Sequence, residues 1–354
     1  MTLAPSLAAF GRLLSDADLR ARLAEEQDIG AAALALGLEQ PGWQAQPIRL
    51  DQAPPPGWLP AAIDDDRVSW RWFGRRGLHD GFYAHELQTA GFLAINRLFA
   101  VETPLSALPP GSRAPDGLVF HMSRCGSTLI GRMLAADRDA TVISEAQPID
   151  AAVRTGDPTL LRAVVAAFAR PRGIGEARLF LKLDCWNSRA LPLFRAAFPD
   201  TPWIFSYRAP VEVMVSHARR AGSQMVPSLV PSSILGLAWG NPRDPFYHAA
   251  VLASVCEGAL DGWASGGGLL IDYSDLPEAV FTRVMPHFGL TLACDVEAAM
   301  RAVAGVNAKV PGEAFTPDSE AKRREISPAI LAACEGRLAT AHARLRQLSE
   351  IVVP

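Results

Sequence analysis

The sequence predicts an α/β protein whose central parallel sheet is covered by helices on both faces and preceded by a small helical region. From about residue 116 onward, short apolar runs alternate with longer stretches whose apolar residues recur at helical spacing. Such alternation is typical of a parallel sheet with crossover helices. One junction, at residues 117–134, also has the small polar residues of an anion-binding turn between strand and helix.

The expected strands are short, and helices are expected between them. The strands are predicted at 118–122, 141–143, 179–183, 203–207 and 268–272. The helices are predicted at 127–137, 159–170, 188–197, 210–221, 246–260, 276–288 and 327–350. Ligands of such sheets bind outside the carboxyl ends of the strands, so we expect the functional site there.

The chain before this alternation divides into two regions. Residues 1–40 are predicted to form two or three short helices, because apolar residues between Leu7 and Leu23 recur on one face. Residues 41–115 begin with six prolines in their first twenty positions, which favour an extended strap, and continue as a small α+β region. Residues 116–354 form the third predicted domain.

Composition argues against several kinds of function. A net charge of −3 gives no global basic field for nucleic acid. The five cysteines are scattered without a Cys-x-x-Cys pair, which argues against a disulfide framework or a zinc site and favours a reducing compartment. The sequence shows neither a secretory signal pattern nor an apolar run of about 18 residues. We therefore expect a cytoplasmic protein that binds neither nucleic acid nor membrane, and its oligomeric state stays open.

The stretch from Gly117 to Leu134 is the centre of the predicted site. An apolar strand ends at Met122, a small polar loop follows, and apolar residues then recur at helical spacing. Such a loop presents backbone N–H groups at a helix N-terminus, where unpaired amides and the helix dipole favour an anion. It is not a Walker A motif, because no lysine follows Gly126 and Arg124 precedes it.

Three other predicted strands end in polar residues. Lys182 lies near the end of the third strand, Asp184 comes directly after that strand, and Arg208 follows the fourth strand. Ser216 lies about two turns into the next predicted helix, and Tyr273 follows the last strand. The carboxyl ends of parallel strands meet at one edge of a sheet, so we expect these side chains to surround the loop.

These elements resemble the sulfotransferases that use 3′-phosphoadenosine 5′-phosphosulfate (PAPS). The 5′-phosphosulfate loop of that family, Pro-Arg/Lys-Ser-Gly-Thr-Thr, is similar to Ser123–Thr128. Its 3′-phosphate element, Arg-Asp-Pro with a serine eight residues after the arginine, is similar to Arg208–Pro210 with Ser216. Its Arg-Tyr-Glu-Asp-Leu strand end and the Phe-Leu-Gly-Leu that follows resemble Asp272–Leu276 and Phe288–Leu290.

The resemblance covers residues 116–325 and implies a P-loop-type three-layer fold. It also implies an enzyme that transfers the sulfuryl group of PAPS, without a metal, to a hydroxyl or amine of a small-molecule or peptide acceptor. The chain departs from the family pattern at Ser123, Cys125 and Ala209, which replace proline, serine and aspartate. The helical N-terminus separately looks like the leader segments of ribosomally made, modified peptides.

The family motifs assign cofactor-binding roles to matching positions. The loop residues implied to hold the 5′-phosphate are Arg124, Cys125, Gly126, Ser127 and Thr128. Arg208 and Ser216 are implied to hold the 3′-phosphate, and Tyr273 to flank the adenine. A late cation is expected from Lys309 or from the basic cluster at 322–324.

Catalysis would require charge neutralisation and a base. Arg124 and Lys182 are expected to stabilise charge that grows on the leaving phosphate, in the role that a metal has in phosphoryl transfer. Two carboxylates are candidates for the base. Glu145 follows a strand end that should face the loop, at the distance from the arginine found in Golgi-type sulfotransferases, and it is favoured. Asp184 stands where cytosolic sulfotransferases carry a histidine in Lys-x-His.

Two other functions compete with this interpretation. The first is an ATP-dependent P-loop kinase of a small molecule, which would require the Walker lysine that the loop lacks. The second is a catalytically silent module that binds a nucleotide or a peptide, which the presence of both Lys182 and Arg208 disfavours. The acceptor is expected to lie against the segments that least resemble the family, residues 67–110 and 219–250.

Overall fold

A computed structural model describes residues 5–38, 46–111, 113–174, 177–306, 322 and 324–351. The chain forms two compact units. Unit 1 comprises Met1–Ala114 and Glu145–Ala177, and unit 2 comprises Pro115–Ser144 and Arg178–Pro354. These two units are defined by compactness alone. The division of the chain into three functional regions, with boundaries at residues 40 and 115, stays a prediction.

The described residues contain nine strands and sixteen α-helices. The strands are β1 Gln46–Arg49, β2 Trp58–Asp64, β3 Arg67–Trp72, β4 Phe99–Pro104, β5 Gly117–His121, β6 Ala140–Ser144, β7 Arg178–Lys182, β8 Trp203–Tyr207 and β9 Gly268–Asp272. The first eight helices are α1 Pro5–Ser15, α2 Ala17–Leu23, α3 Ile29–Ala35, α4 Tyr83–Ala90, α5 Ala94–Leu98, α6 Ser127–Leu134, α7 Gln147–Thr155 and α8 Pro158–Phe168. The others are α9 Leu191–Ala197, α10 Pro210–Arg219, α11 Ser232–Leu235, α12 Pro245–Gly262, α13 Met285–His287, α14 Cys294–Ala304, α15 Pro328–Cys334 and α16 Arg337–Ile351.

Unit 1 begins with the short helices that the sequence predicts. Asp16 caps α2 by accepting from the backbone N–H of Leu19, and Asp28 caps α3. The strands of this unit form a sheet in the order β1-β4-β3-β2, in which only the β1–β4 pair is parallel. The proline-rich stretch contributes β1 and β2, the two edge strands, where a residue without an N–H is tolerated.

Aromatic side chains of unit 1 form a core. Trp70, Trp72 and Tyr83 are buried, and the ring of Phe10 packs edge-on against Trp58 at a centroid distance of 5.7 Å. These aromatic residues therefore stabilise the core of unit 1 and do not form an exposed surface on which a ligand could stack.

Unit 2 contains a parallel sheet in the order β6-β7-β5-β8-β9. Its five strands begin and end within one residue of the predicted bounds. Strand residues alternate between two covered faces: Phe180 stacks on Phe288 on one, and Phe120 packs against Phe194 of α9 on the other. The predicted α/β class, with a central parallel sheet between layers of helices, is confirmed.

The predicted helix at 276–288 is not continuous. A π-helix at Val280–Val284 leads into the short α13, and the chain turns out of α13 at Gly289, where φ is +69°. Helix α14, which was not predicted, packs its buried Met300 into the same apolar cluster as Met133 of α6. Along the described parts of the chain, no helix has the length and hydrophobicity required to span a bilayer.

Candidate anion-binding site

The loop between β5 and α6 has an unusual backbone. Ser123, Arg124 and Gly126 have φ values of +83°, +53° and +87°, the left-handed region that residues with a side chain rarely adopt. Successive turns of this kind direct backbone N–H groups into one concave surface. Helix α6 begins at Ser127, and its first turn adds N–H groups that have no acceptor within the helix. This backbone geometry is typical of anion-binding loops.

His121, the last residue of β5, holds the beginning of the loop. Its Nδ1 accepts from the backbone N–H of Ser123 at 3.0 Å, and its Nε2 donates to the carbonyl of Leu183 at 2.9 Å. These two hydrogen bonds fix the neutral tautomer with the proton on Nε2. His121 is buried, and its two ring nitrogens bind the backbone at the beginning of the loop and at Leu183, so it supports the loop.

Cys125 directs its side chain into unit 2, away from the concave surface. Its Sγ donates to the carbonyl of Ser206 at 3.0 Å, and the Ser206 hydroxyl donates back to the Cys125 carbonyl at 2.7 Å. Burial raises the pKa of the Cys125 thiol, but hydrogen bonds with His121, Ser206 and the backbone of Met122 outweigh it and lower the pKa overall. The thiol is fully buried, so the predicted contribution of Cys125 to a ligand would come from its backbone.

Lys182 lies under helix α6 at the end of β7 and is fully buried. A Cβ built at Gly131 of α6 would lie 3.2 Å from the Cδ of Lys182, so the absence of a side chain there makes room for the lysine. Ser144 pairs with Lys182 in the register of β6 and β7. Its Oγ is buried and has no hydrogen-bond partner in the described part of the chain. Two polar groups are thus buried at this strand edge beside the loop.

Arg208 follows β8 on the other side of the loop and is also buried. Its Nε and Nη2 donate to the carboxylate of Glu212 at 2.7 and 2.5 Å, and its guanidinium lies 3.8 Å from the ring centroid of Tyr273. A Cβ built at Gly126 would lie 2.5 Å from Leu276 and 3.0 Å from Cδ2 of Tyr273. Tyr273 therefore connects the loop to Arg208, and position 126 requires glycine.

The remaining predicted residues of unit 2 lie near these strand ends along the chain. Ser127 is buried and Thr128 half-buried in the first turn of α6. Ser216 is half-buried on α10, the helix that Arg208 precedes. Asp184 is half-buried and begins the 3₁₀-helix Cys185–Ala190 after β7.

Two of the predicted residues lie outside the described part of unit 2. Glu145 follows β6 directly, has a φ of +51°, and belongs to unit 1. Its role as a base stays a prediction. Lys309 lies outside the described residues. Of the basic cluster at 322–324, Lys322 is described and buried, and position 323 is outside the described residues. The described chain contains no group of three or more side chains suited to hold a metal ion.

Three residues that support the site were not predicted. Glu212 lies four residues after Arg208, a spacing that forms ion pairs on helices and could have been recognised. Ser206 is inside a buried strand, and Gln224 donates to the Ser123 hydroxyl across 101 residues of sequence. No local pattern indicates these two contacts.

Comparison with known proteins gives matches among solved structures. No family model matches the chain, and no curated protein matches it. The sulfotransferase domain from the curacin biosynthetic pathway is 16% identical with a TM-score of 0.42, over 63% of this chain and 97% of that domain. The sulfotransferase domain of the Synechococcus PCC 7002 olefin synthase is 16% identical with a TM-score of 0.40, over 69% and 98%.

A sulfotransferase from Alicyclobacillus acidocaldarius is 14% identical with a TM-score of 0.38, over 68% of this chain and 97% of that one. The likeness to all three is one of chain path, and it identifies neither the reaction nor the substrate of this chain.

Proposed function

We propose that the chain is a sulfotransferase that transfers the sulfuryl group of PAPS to a hydroxyl or amine of a small-molecule or peptide acceptor. One observation carries the proposal. The loop Ser123–Gly126, which we call the anion loop, follows the central strand β5. A buried cation lies at the same edge of the sheet on each neighbouring strand, Lys182 at the end of β7 and Arg208 directly after β8. PAPS has anionic groups at both the 5′ and the 3′ positions of its ribose, whereas the charges of ATP lie along one chain. Two separated buried cations therefore fit the two anionic positions of PAPS better than the single phosphate chain of ATP.

The loop fits a 5′-phosphosulfate in shape and in charge. The concave backbone that follows Ser123 offers N–H donors, and Ser127 and Thr128 add hydroxyls in the first turn of α6. When bound, PAPS would supply an activated sulfuryl group. Lys182 and Arg124 would stabilise the negative charge that develops on the leaving phosphate, without a metal.

Arg208 fits a 3′-phosphate because its orientation is fixed before a ligand binds. Glu212 holds Nε and Nη2, and the ring of Tyr273 supports one face of the guanidinium. A planar guanidinium held in this way binds phosphate with defined geometry. We place Ser216 as a second donor to the same phosphate, and Tyr273 beside the adenine.

The proposal also covers the acceptor, its base and the location of the protein. Glu145, or in its place Asp184, would take the proton of the attacking group. We propose that the exposed side chains of Trp239 and Phe246, within residues 219–250, contact the acceptor substrate. A cytoplasmic location is supported by the five cysteines, all of which are free thiols.

Calorimetric titration with adenosine 3′,5′-bisphosphate and with ADP, each with and without Mg²⁺, tests the nucleotide. We expect adenosine 3′,5′-bisphosphate to bind at least about tenfold more tightly, because only it engages Arg208 through a 3′-phosphate; tenfold corresponds to about 1.4 kcal/mol. Equal or tighter binding of ADP with Mg²⁺ would support the kinase instead. Transfer of label from PAPS to a panel of metabolites and peptides then identifies the acceptor.

A further inference from the structure

Residues Arg220–Met225, which we call the clamp segment, contact the anion loop from the side of helix α10. The Nε2 of Gln224 donates to the Oγ of Ser123 at 3.0 Å, and both side chains are buried. The Nη2 of Arg124 donates to the carbonyl of Arg220 at 2.9 Å. Ser123 and Arg124, the two loop residues other than glycine that have a left-handed backbone, are therefore both hydrogen-bonded to the clamp segment.

The clamp segment is itself fixed to the helix before it. The backbone N–H of Gly222 donates to Nδ1 of His217 on α10 at 3.2 Å, and the N–H of Met225 donates to the carbonyl of Gly222 at 3.0 Å. His217 is buried. The side chain of Gln224 is consequently held by a short 3₁₀ turn, Ser223–Met225, that is anchored to α10.

Among the described residues, Ser123 has no acceptor for its hydroxyl proton. Its N–H donates to His121, and its Oγ accepts from Gln224. A serine hydroxyl has one proton and can accept two hydrogen bonds. Because Gln224 donates to the oxygen, the proton is directed to another acceptor, and the loop that contains Ser123 is shaped for an anion.

We propose that Gln224 is a positioning residue of the anion loop, which holds the Ser123 hydroxyl so that its proton is donated to the bound phosphate or sulfate group. The inference rests on the proposed function in one respect, namely that this loop binds an anion. It assigns the role to the amide nitrogen of Gln224, since an amide turned the other way would accept the serine proton and remove it from the anion.

Substitutions at Gln224 and Ser123 test the inference by calorimetry with inorganic phosphate and with adenosine 3′,5′-bisphosphate. Gln224→Met keeps the length of the side chain without its donor and should weaken both ligands by about tenfold, the value of one hydrogen bond to a charged group. In the Ser123→Ala background, Gln224→Met should weaken binding no further, because its effect passes through the serine hydroxyl. Thermal unfolding of each variant, without ligand, measures any loss of stability separately.

Gln224→Glu provides a readout that a purely structural role would not give. The carboxylate would accept the Ser123 proton and should weaken binding at about pH 8, whereas at about pH 5 part of the carboxyl is protonated, can donate again, and should restore affinity relative to wild type. Gln347→Glu, at an exposed position on α16, is the control for added charge.

Three results would overturn the inference. If wild type binds both ligands and Gln224→Met binds them equally well, Gln224 does not position the serine, and the proposed function stands. If the losses of Ser123→Ala and Gln224→Met add, Gln224 acts through packing alone. If wild type binds neither ligand, the loop is not an anion site, and both the inference and the proposed function fail.

Discussion

At the scale of single residues, Arg208 is a buried cation whose partners are both close and directional. Its guanidinium pairs with Glu212 in the first turn of α10 and lies over Tyr273, which also packs against the loop glycine. A charge in such surroundings keeps one orientation, and any ligand it binds gains from that order. Its effect on a ligand should thus depend on geometry as well as on charge.

Arg208→Ala should weaken adenosine 3′,5′-bisphosphate by about 2–5 kcal/mol, since truncating one partner of a buried charged contact has this cost. Adenosine 5′-monophosphate, which lacks the 3′-phosphate, should lose much less. Calorimetric dissociation constants for both nucleotides give the comparison, and Arg301→Ala, at a half-exposed arginine, is the control. Arg208→Lys keeps the charge but loses the planar fork, so it should be intermediate. Equal losses for the two nucleotides would place the 3′-phosphate elsewhere.

The two candidate bases are separated by matched amide variants. Glu145→Gln should reduce kcat by about 10²–10⁴-fold, the typical contribution of a general base, and leave the dissociation constant of adenosine 3′,5′-bisphosphate unchanged. Asp184→Asn should reduce kcat much less. The measurement is sulfate transfer to an identified acceptor at saturating PAPS. If the two effects are reversed, Asp184 is the base.

Residues at strand ends were predictable because a short apolar run shows where a strand stops. Arg124, Lys182 and Arg208 follow such runs, and all three are found at the carboxyl edge of the unit 2 sheet. Gln224 was not predictable, because its hydrogen bond to Ser123 depends on where a loop returns after 101 residues.

At the scale of elements, the helices differ in how clearly the sequence marks them. Helix α12 has a strong N-terminal signal: Asp244 precedes Pro245, and its side chain accepts from the N–H of Phe246 at 2.9 Å. The segment at 276–288 contains a π-helix, whose wider turn has no simple periodicity in sequence. Strands β1 and β2 were not predicted because each contains a proline. Proline usually interrupts a sheet but is tolerated in an edge strand.

Asp244→Ala should lower the free energy of unfolding by about 1 kcal/mol, the usual cost of losing a helix N-cap. Asp244→Asn keeps an acceptor at the cap and should stay close to wild type. Urea unfolding, followed by far-UV circular dichroism, measures the difference. If both variants unfold at the wild-type urea concentration, the cap of α12 contributes nothing to stability.

At the scale of the whole molecule, each compact unit contains its own sheet, and the loop Ser123–Gly126, Lys182 and Arg208 all belong to unit 2. The sequence predicts the parallel sheet of unit 2 well, because alternating strands and helices define its class. It does not predict the sheet of unit 1, whose β1–β4 pairing joins strands separated by some fifty residues.

The thiols offer a simple test of the fold as a whole. Cys125, Cys185, Cys256 and Cys334 are buried, and Cys294 is exposed. Burial raises the pKa of Cys256 well above its ordinary value and that of Cys334 to about 11, so both stay protonated and unreactive near neutral pH. A colorimetric thiol reagent at about pH 8, below the ordinary thiol pKa of about 8.5, should titrate one thiol rapidly in the native protein and all five after denaturation. Rapid reaction of two or more native thiols would contradict this packing.

The lysine beneath Gly131 has a consequence for how such sites are found and altered. In a Walker loop the cation and the backbone donors belong to one contiguous motif, so a short pattern detects both. Here the donors come from the β5–α6 loop and the cation from β7, more than fifty positions later in the chain. A contiguous pattern would therefore detect only part of the proposed site. The same separation means that two distant segments of the chain, the β5–α6 loop and the end of β7, encode the backbone donors and the buried cation.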